Sequence, residues 1–192
     1  FFENQISQYR FKPSIKKEST DKKYFNVGRY NFRLKFRKKF VSKSKVLIGL
    51  YDVPRYSNYL LDRHISSQFL YYLDDQLNFY RKLNEQIKKK TEVRLYPKST
   101  HWETKQKFQD NFPNVKFDKS KTFLKSLDKT SLFIGTYNAT TYNETLLANI
   151  PTILFWDEKF SKVSDYDTKN FDLLKDVGIF HNDPFEAAKY VN

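Results

Sequence analysis

Two hydrophobic periods alternate along the chain from about residue 45 to its end. Val46-Leu47-Ile48-Gly49-Leu50-Tyr51 is a near-continuous apolar run, the pattern of a strand covered on both faces. Phe69, Leu73, Leu77, Tyr80 and Ile87 then recur at helical spacing. They predict one long helix whose end, Lys88-Lys89-Lys90, complements the negative end of the helix dipole. The rhythm repeats. Residues 92–96 read as a second strand stopped by Pro97, 103–111 as a polar helix and 114–117 as a third strand. A short helix over 122–127 leads to a fourth strand at 131–135, then a helix over 140–149 and a fifth strand at 151–156. The tail holds a helix near 168–177, a short strand at 178–180 and a last helix opened by Asp183-Pro184, with proline at its first position. Strands that alternate with helices predict an α/β fold, a Rossmann-like parallel sheet with helices on both faces, over residues 45–192.

Residues 1–44 follow a different pattern. Asn31-Phe32-Arg33-Leu34-Lys35-Phe36-Arg37 alternates between apolar and basic, as a half-exposed strand does, and Ser42-Lys43-Ser44-Lys45 reads as a linker. Either a basic ribbon meets phosphate here, or the charges keep an edge strand from pairing. The whole chain has 35 Lys+Arg against 22 Asp+Glu, a formal charge of +13. Clustered cations favour polyanions. Yet Lys, Asn, Phe, Tyr and Ile are all heavily used while Gly numbers only four, as AT-rich coding would produce. We therefore expect most of the charge to be background and do not expect a nucleic-acid partner. With no Cys and three scattered His, disulfide scaffolds, cysteine nucleophiles and thiolate or His-rich metal sites are not expected. No apolar run is long enough to span a bilayer, and no signal-peptide pattern opens the chain. The absence of Met leads us to expect a piece of a longer protein.

Ligands of open parallel sheets sit beyond the carboxyl ends of the strands. Those ends are residues 52–56, 97–102, 136–141 and 157–158. The richest is Phe133-Ile134-Gly135-Thr136-Tyr137-Asn138-Ala139-Thr140-Thr141-Tyr142-Asn143-Glu144, where a buried strand meets hydroxylated residues and a helix begins. Its free amides and positive dipole end suit a phosphate, with Asn138, Thr140 and Thr141 as further donors and Glu144 as an acceptor for a diol. The competing reading is ordinary capping by Asn138 or Thr140, with Glu144 closing a capping box on Thr141. Asn138-Ala139-Thr140 and Asn143-Glu144-Thr145 also fit glycosylation sequons, but both fall in or beside a turn expected to be buried. On the same rim, Arg55 is either a phosphate ligand or a surface residue. Arg94 is either a phosphate ligand or half of a structural ion pair. Lys98 and His101 follow the second strand, and His101 is the weak candidate for acid–base work. Asp157 and Glu158 either orient sugar hydroxyls or solvate a loop. No metal ligands and no catalytic base are assigned.

The segment from Asn138 to Glu144, followed by Leu146-Leu147-Ala148-Asn149-Ile150-Pro151-Thr152-Ile153-Leu154-Phe155-Trp156-Asp157, resembles the donor-binding segment of GT-B glycosyltransferases. It is also similar to UDP-N-acetylglucosamine 2-epimerase, which shares that fold. Bacterial surface-carbohydrate transferases are similar too in Asp52-Val53-Pro54-Arg55-Tyr56, Val93-Arg94-Leu95-Tyr96-Pro97 and Gly178-Ile179-Phe180-His181. The resemblance spans about 45–192 and implies a GT-B C-terminal type of domain. In it the turn 138–141 holds a nucleotide diphosphate, with Arg55, Arg94 and Lys98 nearby, and Glu144, seven residues before Pro151, binds ribose. Where the epimerase-type turn has paired glycines, this chain has Ala139 and Thr140, so hydroxyls replace part of the backbone approach. The implied function is the donor-binding half of a transferase that uses a nucleotide-sugar and a glycan or lipid-linked acceptor in surface-polysaccharide biosynthesis. It needs no cofactor besides that donor. The acceptor site would belong to an N-terminal domain of the same longer protein, and the location would be cytoplasmic or peripheral at a membrane face. The alternative is a non-catalytic basic α/β module that binds nucleic acid through its N-terminal segment.

Overall fold

The computed structural model describes residues 10–12, 24–26, 44–56, 64–98, 101–163, 165 and 167–192. The chain divides into two compact units, Phe1–Arg37 and Lys38–Asn192. In the first, β1 (Arg10–Lys12) pairs in parallel with β2 (Tyr24–Asn26), two strands that hydrophobic periodicity does not announce. The basic alternation at 31–37 and the linker residues 42–43 lie outside the described residues.

The second unit is a six-stranded, wholly parallel sheet in the order β5-β4-β3-β6-β7-β8. Its strands are β3 (Lys45–Gly49), β4 (Thr91–Arg94), β5 (Lys116–Phe117), β6 (Thr130–Gly135), β7 (Thr152–Phe155) and β8 (Phe180–His181). The chain starts in the middle at β3, builds outward to β5, then returns to lay β6 on the other side of β3. Around the sheet lie α1 (Phe69–Lys82), α2 (Glu85–Lys90), α3 (Thr104–Asn111), α4 (Phe123–Leu127), α5 (Thr140–Leu147), α6 (Thr168–Asp176) and α7 (Pro184–Val191). This is the Rossmann-like arrangement expected, with helices on both faces.

Alternation along each strand makes two cores. One face carries Val46, Ile48, Val93, Ile134 and Phe155, covered by Phe69, Tyr72, Leu73 and Phe79 of α1, Phe108 of α3 and Ala187 and Val191 of α7. The other carries Leu47, Phe133, Leu154 and Phe180, covered by Leu127 of α4, Tyr142 of α5 and Phe171 of α6. Phe133, fully buried, lies across the ends of β3 and β6, where only glycine leaves room. A Cβ at Gly49 would stand 3.0 Å from its ring, and one at Gly135 would stand 3.1 Å from it and 2.6 Å from Leu154 Cδ2.

The long helix expected through Ile87 is two helices. Leu83 and Asn84 adopt extended backbone (ψ 141° and 161°), and the Asn84 side chain accepts from the Ile87 amide at 2.8 Å, capping α2. Asn192 holds the break from both sides: its Nδ2 donates to the Lys82 carbonyl and its Oδ1 accepts from the Asn84 amide. Helical spacing carries across such a break because a second amphipathic segment begins in phase, so only the capping residue betrays it.

Candidate functional site

β3 leads into α1 on one face, whereas its neighbour β6 leads into α5 on the other. The two loops therefore part over the carboxyl ends of β3 and β6, the switch point at which doubly wound sheets form the crevice that receives ligands. The floor is built from buried polar groups in series. The Tyr51 amide donates to the Tyr72 hydroxyl at 3.1 Å, which lies 2.7 Å from Thr136 Oγ1, which donates to the Gly49 carbonyl at 2.7 Å. Tyr72 and Thr136 are both buried, and burial holds the Tyr72 hydroxyl well above its ordinary range. The series ties α1 to both strand ends. Rings reinforce it, with Tyr51 4.4 Å from Tyr72 and 5.2 Å from Tyr137 between centroids.

The β6–α5 turn forms one wall. Ala139 is the N-cap of α5, in extended conformation (φ −153°), and provides no side-chain cap. Capping by Asn138 or Thr140 therefore does not occur, nor does the Thr141–Glu144 box. Asn138 Oδ1 instead accepts from the Tyr142 hydroxyl at 3.3 Å. Asn84, Thr122 and Asp183 do satisfy the first amides of α2, α4 and α7 through their side chains; those of α5 have no such acceptor among the described residues. Thr140 is exposed, and the Thr141 hydroxyl oxygen is buried without a hydrogen-bond partner. Glu144 is half-buried, and burial raises its carboxyl above the usual carboxylate range. No ion pair offsets that burial among the described residues. Behind the wall, Thr152 Oγ1 donates to Thr145 Oγ1 at 3.0 Å, fastening α5 to β7.

The opposite rim joins two strand ends. The Trp102 indole N–H donates to the Val53 carbonyl at 2.8 Å, binding the loop after β4 to the loop after β3. The Arg55 guanidinium lies 5.4 Å above the Trp102 ring and 5.7 Å from that of Tyr56, exposed and without a carboxylate partner among the described residues. His101, beside Trp102, and Lys98 are exposed, and His101 sits at φ +69°. Asp157 accepts from the Lys159 amide, and Glu158 pairs with Lys175 at 2.9 Å.

Arg94 lies elsewhere. Its Nη1 donates to Asp118 at 2.5 Å, to Ser126 Oγ at 2.8 Å and to the Ser120 carbonyl at 3.0 Å, while Lys45 reaches the same carboxylate at 3.1 Å. Burial alone would raise the Asp118 carboxyl. Hydrogen bonds from Ser126, Ser120, Arg94 and Lys45 outweigh it and hold the group well below the carboxylate range. Of the two readings open for Arg94, the geometry supports the structural pair.

Sequence reasoning gives His64 less weight than His101. It is buried, its Nδ1 lies 2.6 Å from the Tyr51 hydroxyl and its ring 4.6 Å from that of Phe160, and its Nε2 has no partner. Burial lowers its pKa to about 4, against a smaller opposing effect of Asp157. Thr136, Tyr51 and Tyr72 went unremarked as polar groups. Their one signal is that hydroxyls stand where strand and helix spacing requires burial.

Among the described residues no three His, Cys, Asp or Glu gather as a metal site, and no helix is long and apolar enough to cross a membrane. No curated protein and no solved structure matches the chain. A family model described as "LIC12162 family transferase" matches residues 19–192, nearly the whole sequence and all of the crevice just described. A doubly wound sheet whose loops diverge at its switch point and that match lead to one conclusion: the chain belongs to the LIC12162 family of transferases.

Proposed function

We propose that this transferase binds a nucleotide-activated sugar in the crevice and is the donor-binding half of a glycosyltransferase-like enzyme of surface-polysaccharide assembly. The observation that carries the reading is the N-terminus of α5, which lies at the switch point with no side chain capping its amides among the described residues. A diphosphate there satisfies those amides and meets the positive end of the helix dipole. Asn138, Thr140 and Thr141 add donors, and the buried Thr141 oxygen gains the partner it lacks. Glu144, one turn in, accepts from the ribose hydroxyls. Arg55 and Lys98, both exposed on the loops after β3 and β4, supply cations.

Catalysis in this reading is electrostatic. As the bond between the sugar's anomeric carbon and the phosphate oxygen breaks, charge accumulates on the leaving diphosphate. Fixed amides and an arginine stabilise that charge more than they stabilise the ground state. The acceptor and the group that takes its proton lie outside this crevice. Titration calorimetry with uridine diphosphate and nucleotide-sugars tests the site. Micromolar-to-millimolar binding should weaken about tenfold or more in Glu144→Ala and in Thr140→Val, a loss of about 1.4 kcal/mol for each tenfold. Wild-type protein that binds no nucleotide at all would end the proposal.

A further inference from the structure

From Lys38 to Asn192 twenty-one lysines and four arginines stand against nineteen carboxylates, so the α/β unit carries six cations in excess. Its cations are not evenly spread. Eight of those lysines and only two of those carboxylates line one open cavity of about 1220 Å³ along β5 and the flanks of β4. Everything else in the unit carries seventeen carboxylates against seventeen cations, so the whole excess lies at this cavity. Compositional drift spreads lysine without regard to place and does not produce this asymmetry. The two carboxylates, Glu92 and Asp118, are already taken by Lys45 and Arg94. The other seven lysines, including Lys89, Lys90, Lys116 and Lys119, have no carboxylate partner among the described residues.

We propose that this cavity binds an anion that carries several phosphates in a row, a site separate from the nucleotide crevice and independent of it. The chemistry of the lining selects among polyanions. Its aromatic residue, Phe117, is half-buried beneath the Lys105 ammonium at 5.8 Å, so no free ring is offered for stacking bases. None of the exposed large hydrophobic side chains lines it, so nothing there enters a bilayer. What remains is a concave set of ammonium groups, point charges suited to phosphate oxygens from many directions. Edge protection explains Lys116 on the short strand β5, but not Lys89, Lys90, Lys125 or Lys129 around it.

The test is calorimetric titration of the full chain with inorganic tripolyphosphate at 50 and 200 mM salt. Binding is expected at the lower salt, weaker by about tenfold at the higher. Lys116→Ser/Lys119→Ser and Lys89→Ser/Lys90→Ser should each weaken it about tenfold, with circular dichroism unchanged. Lys162→Ser/Lys169→Ser should leave it within twofold. Absence of binding, an equal loss in the control variant, or orthophosphate binding as tight as tripolyphosphate would each overturn the proposal. So would a duplex DNA or anionic phospholipid vesicles that bind more tightly and lose affinity in the same lysine variants. Uridine diphosphate binding in those variants keeps the two sites distinguishable, since failure at one leaves the other standing.

Discussion

The series of hydroxyls under the crevice can be broken at one atom. Thr136→Val replaces a buried hydroxyl by a methyl group of similar size. The donation to Gly49 and the bond with Tyr72 disappear together. Two hydrogen bonds at about 0.5–1.5 kcal/mol each, and a buried Tyr72 hydroxyl left without an acceptor at about 1–3 kcal/mol, give an expected loss of about 2–6 kcal/mol. Tyr72→Phe takes out the middle of the series, removing the bonds to the Tyr51 amide and to Thr136 but sparing the Thr136–Gly49 bond, and should cost about 1–3 kcal/mol. The double variant has no orphaned tyrosine hydroxyl, so its cost should fall short of the sum by about 1 kcal/mol. Urea unfolding followed by far-ultraviolet circular dichroism at pH 7 measures all three. Single losses that add to within about 0.3 kcal/mol would show that the groups do not act in series. The raised Tyr72 pKa fixes the alkaline behaviour. The unfolded chain gives up that proton first, so the stability is intact below about pH 10 and falls as pH rises beyond it.

Two further groups titrate with opposite signs in mild acid. Asp75 of α1 is raised to about 6 by burial and then by Asp157, Asp183 and Asp74, so its penalty is absent below about pH 4 and complete above pH 6. Asp75→Asn should gain about 1–2 kcal/mol at pH 8, discounted for partial exposure. The gain should vanish toward pH 4; a gain of equal size at both ends, by thermal unfolding across pH, would contradict the assignment. His64, at about 4 when folded, is protonated first in the unfolded chain. Its contribution is therefore intact above about pH 6.5 and lost as pH falls to 4, about 2–3 kcal/mol in all. Imidazole proton resonances should show a ring still neutral at pH 5.5, and a transition near 6.5 would refute the burial argument.

Periodicity located all six strands of the sheet because each sets apolar residues in a short run bounded by polar turns. Ile134 and Ile153 lie where the alternation requires, on the face shared with Ile48. The break at Asn84 was hidden because α2 continues the apolar phase of α1 with Ile87. At the crevice, residue types pointed to the β6–α5 turn but named the wrong cap. Asn138 has the better capping side chain, yet it spends it on Tyr142, and alanine takes the position. Arg94 shows the converse limit. A basic residue at a strand end is equally compatible with ligand and with salt bridge, and its partner Asp118 lies 24 residues further along the chain. His64 and Thr136 were legible only as a class, since sequence tells that a polar group is buried before it tells what completes it.

The indole at the rim also gives the crevice an optical readout. The protein has two tryptophans. Trp102 holds the two loops together under the charge of Arg55, whereas Trp156 sits among Tyr142, Phe171 and Phe180 in the core on the α5 side of the sheet. An anion that draws the guanidinium away changes the electric field on the first ring and leaves the second untouched. With Trp156→Phe removing the constant background, the emission of Trp102 becomes a label-free gauge of where Arg55 is. Occupancy of the site can then be followed in time without a modified ligand.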